Sequence, residues 1–96
     1  MLVGKLITDI NYNAIAIINT TDKTDLTLHM CNNTGVDNYV GVKYVEKNGA
    51  SINLFPERFP LRMDDTFTAP FKLTLKMGDE IQVKSVTAGV EISLVK

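Results

Sequence analysis

The sequence predicts an all-β chain: one antiparallel β-sandwich, Ig-like or jelly-roll-like, of about seven to eight short strands. Three observations predict it. Apolar and polar residues alternate over most of the chain, nearly without a break from Phe71 to Lys96. Turn-forming clusters such as Asn48-Gly49 and Gly78-Asp79 punctuate the alternation at short intervals. No window sustains the 3.6-residue period of an amphipathic helix. A period of two places every apolar side chain of a strand on one face, and that face is the one a core can bury.

Leu2 to Ile10 is the first predicted strand, and Asn11-Tyr12-Asn13 breaks it. Ala14 to Asn19 (AIAIIN) is a short isoleucine-rich run. Its length favours a strand buried on both faces over a helix. Thr20 to Thr24 is polar and turn-like. Asp25 to Cys31 alternates Leu26, Leu28 and Met30 with Thr27, His29 and Cys31. Asn32 to Asn38 (NNTGVDN) is a loop by composition. Tyr39 to Glu46 is β-branched and aromatic, hence a strand. Asn48-Gly49 predicts a two-residue type I′ turn leading into a returning strand, Ala50 to Phe55. The last three strands are Phe71 to Met77, Glu80 to Ser85 and Gly89 to Lys96. Gly78-Asp79 and Thr87-Ala88-Gly89 are read as the turns of two central hairpins. The predicted core contains Ile15, Ile17, Leu26, Leu28, Val42, Leu73, Leu75, Ile81, Val83, Val90 and Ile92.

A chain of 96 residues makes a single domain, 1–96, with a thin core. A net charge of −1 and no basic cluster argue against nucleic-acid binding. No apolar run is long enough for a membrane span. The start, MLVGKLITDI, lacks the long apolar core of a secretory signal.

Catalytic and cofactor chemistry finds little to work with. His29 and Cys31 share one face of a strand, but a metal site needs further converging ligands, and i, i+2 is poor geometry for an activated nucleophile. Asp64-Asp65 reads as a turn pair, not as acid and base or a calcium loop. Asn19-Thr20-Thr21 and Asn32-Asn33-Thr34 match the glycosylation pattern, which says little without a signal segment. The expectation is therefore no enzyme, no cofactor and no metal. A carbohydrate-binding module for cell-surface recognition is the alternative, with Tyr39, Tyr44 and Asn38 as its best cluster.

Pro56 to Pro70 (PERFPLRMDDTFTAP) is the least regular stretch. It holds all three prolines, and all four phenylalanines of the chain lie in or beside it. Proline fixes φ and lacks an N–H, so the segment is expected at the surface and outside any sheet interior. It then either folds back as a lid or packs into a neighbour. Apolar anchors beside arginines match interface composition, which predicts a partner surface of Arg58, Phe59, Leu61, Arg62, Met63 and Phe67.

The pieces AIAIINTTDKTDLTLHM and KLTLKMGDEIQVKSVTAGVEISL resemble the small β-sandwich structural proteins of tailed bacteriophages. The pattern is a strand ending in Asn before a polar turn, then L-x-x-GD-x-I-x-V and a closing strand. Asn19, Leu75, Gly78, Asp79, Ile81 and Val83 occupy its places. The resemblance covers most of the chain outside Phe55 to Pro70. It implies a non-enzymatic virion component of capsid decoration, neck or tail type. Such a protein binds copies of itself, in a homo-oligomer or symmetric array, and other virion proteins.

Overall fold

The computed structural model describes residues 2–7, 11–18, 22–56 and 58–95. Among them are nine strands: β1 (Leu2–Ile7), β2 (Asn13–Ile17), β3 (Asp22–Asn32), β4 (Asn38–Val45), β5 (Ser51–Asn53), β6 (Phe59–Leu61), β7 (Thr66–Leu75), β8 (Glu80–Ser85) and β9 (Val90–Val95). They form two antiparallel sheets. The first has the order β1-β9-β3-β7. The second runs β2-β8-β4, and β5 and β6 share the far edge of β4. The fold is the predicted β-sandwich, with β6 as a strand more than expected.

Alternation fills the space between the sheets as predicted. From the first sheet, Leu26, Leu28 and Met30 of β3 and Val90, Ile92 and Leu94 of β9 are buried. From the second, Val40, Val42 and Tyr44 of β4 and Ile81 and Val83 of β8 meet them. A fully buried side chain of this size contributes about 1.5–3 kcal/mol through the hydrophobic effect. The strands run along the long axis of a 38 × 23 × 19 Å body. At roughly 3.3 Å per residue, the eleven residues of β3 span nearly that length.

The predicted hairpins after Phe71 do not form. β7 lies in the first sheet, β8 in the second and β9 in the first again. Gly78-Asp79 and residues 86–89 are thus corners between sheets. Alternation fixes which face of a strand is inward but does not choose its neighbour. β8 and β9 are interior strands, whereas β7 is an edge.

β2 is not buried on both faces. It is also an edge, and Ala14 is exposed. Its register against β8 shifts between Ala14 and Ala16, so Ile15 is the extra residue of a bulge. The bulge reverses parity downstream. Ile15 and Ile18 enter the core, while Ile17, expected there, points out and is 66% exposed. The side chain of Leu73 lies outside the described residues.

The Asn48-Gly49 turn also differs from expectation. Gly49 N–H donates to Glu46 O (2.8 Å), and Glu46 N–H donates to Ala50 O (2.7 Å). Of the two residues only Gly49 has positive φ, at 98°. The connection is a three-residue loop, a type I turn followed by a glycine bulge. Asn48 Oδ1 accepts from Ala50 N–H (3.0 Å), a bond that a type I′ turn does not require.

Pro56 to Pro70 is not one long loop. It contains β6 and the first half of β7. Both prolines in strands sit on edges, Pro60 opposite Tyr39 and Pro70 opposite Thr27, as a missing N–H demands. Phe67, Ala69 and Phe71 of β7 pair with inward-facing Met30, Leu28 and Leu26. Phe67 and Phe71 meet Phe55 of the β5–β6 connection, and Phe67 also meets Phe59 of β6 in the other sheet. Ring centroids are 4.8 Å apart for Phe55–Phe59, 5.5 Å for Phe55–Phe67, 5.4 Å for Phe55–Phe71 and 4.7 Å for Phe59–Phe67. This aromatic clasp joins the two sheets along one open side.

The bulge makes a prediction. Ile18→Ala should cost roughly 2–5 kcal/mol, as truncation of a buried isoleucine does, and Ile17→Ala less than about 0.5 kcal/mol. Chemical denaturation of the two variants checks it. Equal losses would place the parity change elsewhere.

Candidate functional site

The ends of the sandwich, not its faces, carry the unusual chemistry. At one end, hereafter the loop end, residues 33–37, 62–65 and 86–89 come together. Two buried asparagines build it. Asn32, fully buried, donates through Nδ2 to Val36 O and Leu61 O, both at 2.9 Å. Its Oδ1 accepts from Thr34 N–H (3.0 Å) and Thr34 Oγ1 (2.6 Å). Asn38 donates to Thr87 O (2.8 Å) and accepts from Thr87 N–H (3.1 Å) and Tyr39 N–H (2.9 Å). Its amide thereby replaces a strand neighbour for Thr87. Met63 N–H donates to Asp37 Oδ1 (2.9 Å), tying the second loop to the first. Asp65 N–H closes a turn on Arg62 O (3.1 Å), within which Asp64 takes a φ of 63°. Aspartate tolerates this left-handed conformation better than most residues.

On these tethered loops and at their base, Val36, Tyr39, Met63 and Val86 are exposed by 48, 42, 49 and 53%. The Arg58 guanidinium lies 4.4 Å over the Tyr39 ring.

The opposite end, the turn end, is organised by Asp79. Its carboxylate accepts from the Tyr44 hydroxyl and from Lys47 N–H (2.9 Å). The neighbouring backbone groups bond Ile18, with Ile18 N–H to Asp79 O and Gly78 N–H to Ile18 O, both at 2.8 Å. Gly78 has a φ of 92°, and a Cβ there would stand 2.8 Å from Lys47 Cδ. Burial, then the bond to Asp79, pushes the Tyr44 hydroxyl up to about 12. The Tyr44 bond holds the Asp79 carboxyl below its ordinary value, helped by Lys47 N–H and against the effect of burial. Beside them lies an open recess of about 210 Å³, lined by Glu46, Lys47, Asn48, Lys76, Met77 and Asp79. Ile17, Ile52 and Met77 are exposed in this half of the molecule.

The structure divides the six residues predicted as a partner surface. Arg62 and Met63 are exposed at the loop end, and Arg58 is exposed on Tyr39. Leu61 is a core residue, only 3% exposed, because β6 points it inward beside Asn38. Phe59 and Phe67 are half-buried in the clasp and cover the protein's own core. The sugar-binding cluster is not assembled: Tyr44 and Asn38 are buried, and only Tyr39 offers its ring. Tyr12 lies over Gly41, where a Cβ would be 2.5 Å from its hydroxyl, with the Lys43 and Lys84 ammonium groups 4.2 and 4.6 Å from the ring.

His29 is exposed, with Nδ1 at 2.7 Å from Thr68 Oγ1, whereas Cys31 Sγ turns to Asn33 Oδ1 at 3.4 Å. Among the described residues, no three His, Cys, Asp or Glu side chains converge as metal ligands would. Asn32 of one glycosylation pattern has its amide consumed within the fold; Asn19-Thr20-Thr21 lies outside the described residues. Val36 and Val86 escaped the sequence reading, their only signal being an apolar residue inside a turn; Met77, read as the last apolar residue of the Phe71 to Met77 strand, lies in the turn after β7 and is exposed.

No family model, curated protein or solved structure matches the chain.

Two predictions follow from the ends. Asn32→Ala removes the buried bond to Leu61 O, worth about 1–3 kcal/mol, and the part-buried bonds that hold Val36 O and Thr34. Hydrogen exchange of residues 33–37 should quicken more than that of β9; a uniform change would deny Asn32 its local tethering role. The second concerns pH. The raised Tyr44 value means that its contribution is whole below its ordinary 10.0 and fades as pH climbs toward about 12. The lowered Asp79 value means a contribution present above its ordinary 3.8 and lost as pH falls through the folded value. Tyr44→Phe should flatten the alkaline limb of stability against pH, and Asp79→Asn the acid limb. Unchanged limbs in denaturation series would show that the pair is not coupled to folding.

Proposed function

We propose that the chain is a non-enzymatic structural subunit of a tailed-phage virion, joining copies of itself and neighbouring capsid, neck or tail proteins through its ends. One observation carries this reading. The large apolar side chains that the described residues expose stand at or toward the two ends of the sandwich, and those of the loop end rest on loops fixed by buried amide bonds. Loops of a free monomer are ordinarily polar and mobile. Fixing their shape while leaving apolar groups in water suits a surface that a neighbour covers.

The sheet edges support the same choice of contact. Three of the four sheet edges are guarded: β6 and β7 carry prolines, β5 has three residues and β2 is bulged, whereas β1, the outer strand of the first sheet, has none of these features. The guarded edges discourage further strand pairing, so there a neighbour meets an end more readily than an edge. Gly78 and Asp79, two residues of the pattern that carries the resemblance, form the corner on which the turn end is built.

Quantitative mass spectrometry of particles purified from the source tests the reading. The chain should be present at a fixed ratio to the major capsid protein and should survive washing in high salt. Its absence from washed particles would overturn the proposal.

A further inference from the structure

We infer that the Asn48-Gly49 turn is a site of spontaneous covalent modification, at which the folded protein loses the Asn48 side-chain amide through a succinimide that water then opens. The inference does not depend on the structural-subunit reading. The Gly49 backbone nitrogen attacks Asn48 Cγ. A bond forms between that nitrogen and Cγ, and the Cγ–Nδ2 bond breaks. Gly49 gives up its N–H proton, and the side-chain nitrogen takes up a proton and leaves as ammonia. Water then adds across one of the two ring C–N bonds. Opening at the side-chain carbonyl leaves aspartate. Opening at the backbone carbonyl leaves isoaspartate, in which the main chain runs through Cβ and Cγ.

Sequence and geometry converge on this one asparagine. Asn48 alone of the chain's eight asparagines precedes a glycine. A Cβ on the following residue would crowd the nitrogen as it nears Cγ, and glycine has none. Asn48 and Gly49 are both exposed, and a Cβ placed on Gly49 would meet nothing within 4 Å, so the ring closes without displacing a neighbour. Asn48 Oδ1 already accepts from Ala50 N–H (3.0 Å). Oδ1 is the atom that takes on negative charge during the attack, so a donor stands where charge develops. Gly49 N–H is bonded to Glu46 O (2.8 Å), and that bond must open first. Local opening of an exposed loop at the end of a three-residue edge strand needs no global unfolding. The other described asparagines lack this combination. Asn32 and Asn38 are buried with their amides bonded, and exposed Asn33 and Asn53 precede Thr34 and Leu54.

The two products act differently on the turn end. Aspartate keeps an oxygen for Ala50 N–H and leaves the loop intact. Isoaspartate lengthens the backbone inside a loop that closes through Glu46 N–H to Ala50 O (2.7 Å). The pairing of β5 with β4 starts at that closure, from Val45 opposite Ser51. Lys47, whose N–H holds Asp79, is the residue before the change. Either product adds a carboxylate to the recess that Glu46, Lys47, Lys76, Met77 and Asp79 line with Asn48.

Ageing of the full chain in mildly alkaline buffer tests this, with peptide mass mapping to locate amide loss and an isoaspartyl methyltransferase to count isoaspartate. Asn48 should convert at least about tenfold faster than Asn33 or Asn53, a barrier difference of ~1.4 kcal/mol. Asn48→Gln should abolish the change at this position, because its longer side chain closes a larger ring. Ile92→Val, a conservative core change far from the loop, raises the unfolded fraction several-fold. It should leave the Asn48 rate unchanged. The isoaspartate form, separated by charge, should exchange amide hydrogens faster at Lys47 and at residues 50–53, with β9 unaltered; Asn48→Asp should exchange as the wild type does. Loss at Asn33 or Asn53 as fast as at Asn48 overturns the inference. So does acceleration by Ile92→Val in step with its unfolded fraction, which would route the reaction through unfolded chain. Each readout is made on the isolated chain, so presence in or absence from particles leaves it untouched.

Discussion

A sheet-to-sheet corner must find hydrogen-bond partners for backbone that has left its ladder, and much of this structure answers that constraint. Among the described residues, the four buried polar side chains are Asn32, Asn38, Asp79 and Ser85. All stand where the chain passes from one sheet to the other. Asn32 serves Thr34, Val36 and Leu61; Asn38 and Ser85 serve Thr87; Asp79 serves Lys47. An unbonded buried amide or carbonyl costs about 1–3 kcal/mol, a sizeable share of the total stability of so small a domain. Short polar side chains at the corners remove that cost, and in doing so they fix the shape of both ends.

The long sides obey a different constraint. Two small sheets leave two open flanks, and water at a flank would reach a core only one layer of side chains thick. On one flank the clasp of Phe55, Phe59, Phe67 and Phe71 closes the gap. Ala69 stands between Phe67 and Phe71 on the inner face of β7, leaving room for rings arriving from the other sheet. Aromatic groups suit the position because each covers roughly 150–250 Å². This need, more than a partner, accounts for the gathering of every phenylalanine around one segment.

Sequence and structure part where a rule of local pattern meets a choice of partner. Alternation placed Leu26, Leu28, Val42, Leu75, Ile81, Val83, Val90 and Ile92 inward, because facing depends only on period. It could not pair β8 with β2 and β4 instead of β7, since pairing is non-local. The bulge at Ile15 was illegible: in AIAII every residue is apolar, so no polar residue marks the change of parity. Asn48-Gly49 carried a true turn signal, but two turn types accept that dipeptide, and the Asn48 side-chain bond distinguishes them only in three dimensions. Asn32 and Asn38 read as loop residues by type. Which asparagine of a loop turns inward depends on carbonyls supplied by distant strands, here Leu61 and Thr87.

The candidate site followed the same logic. Proline and phenylalanine drew attention to Pro56–Pro70, and there the inference from composition to interface merged two demands that the structure separates. Phe59, Leu61 and Phe67 satisfy the flank and core, while Arg62 and Met63 reach the loop end. Edges that carry prolines, a bulge or few residues leave little scope for sideways growth at β7, at β2 and at β5 and β6; β1 is the one sheet edge without such a feature. In the structural role we propose, a neighbouring subunit covers the exposed apolar groups that these fixed ends hold in place.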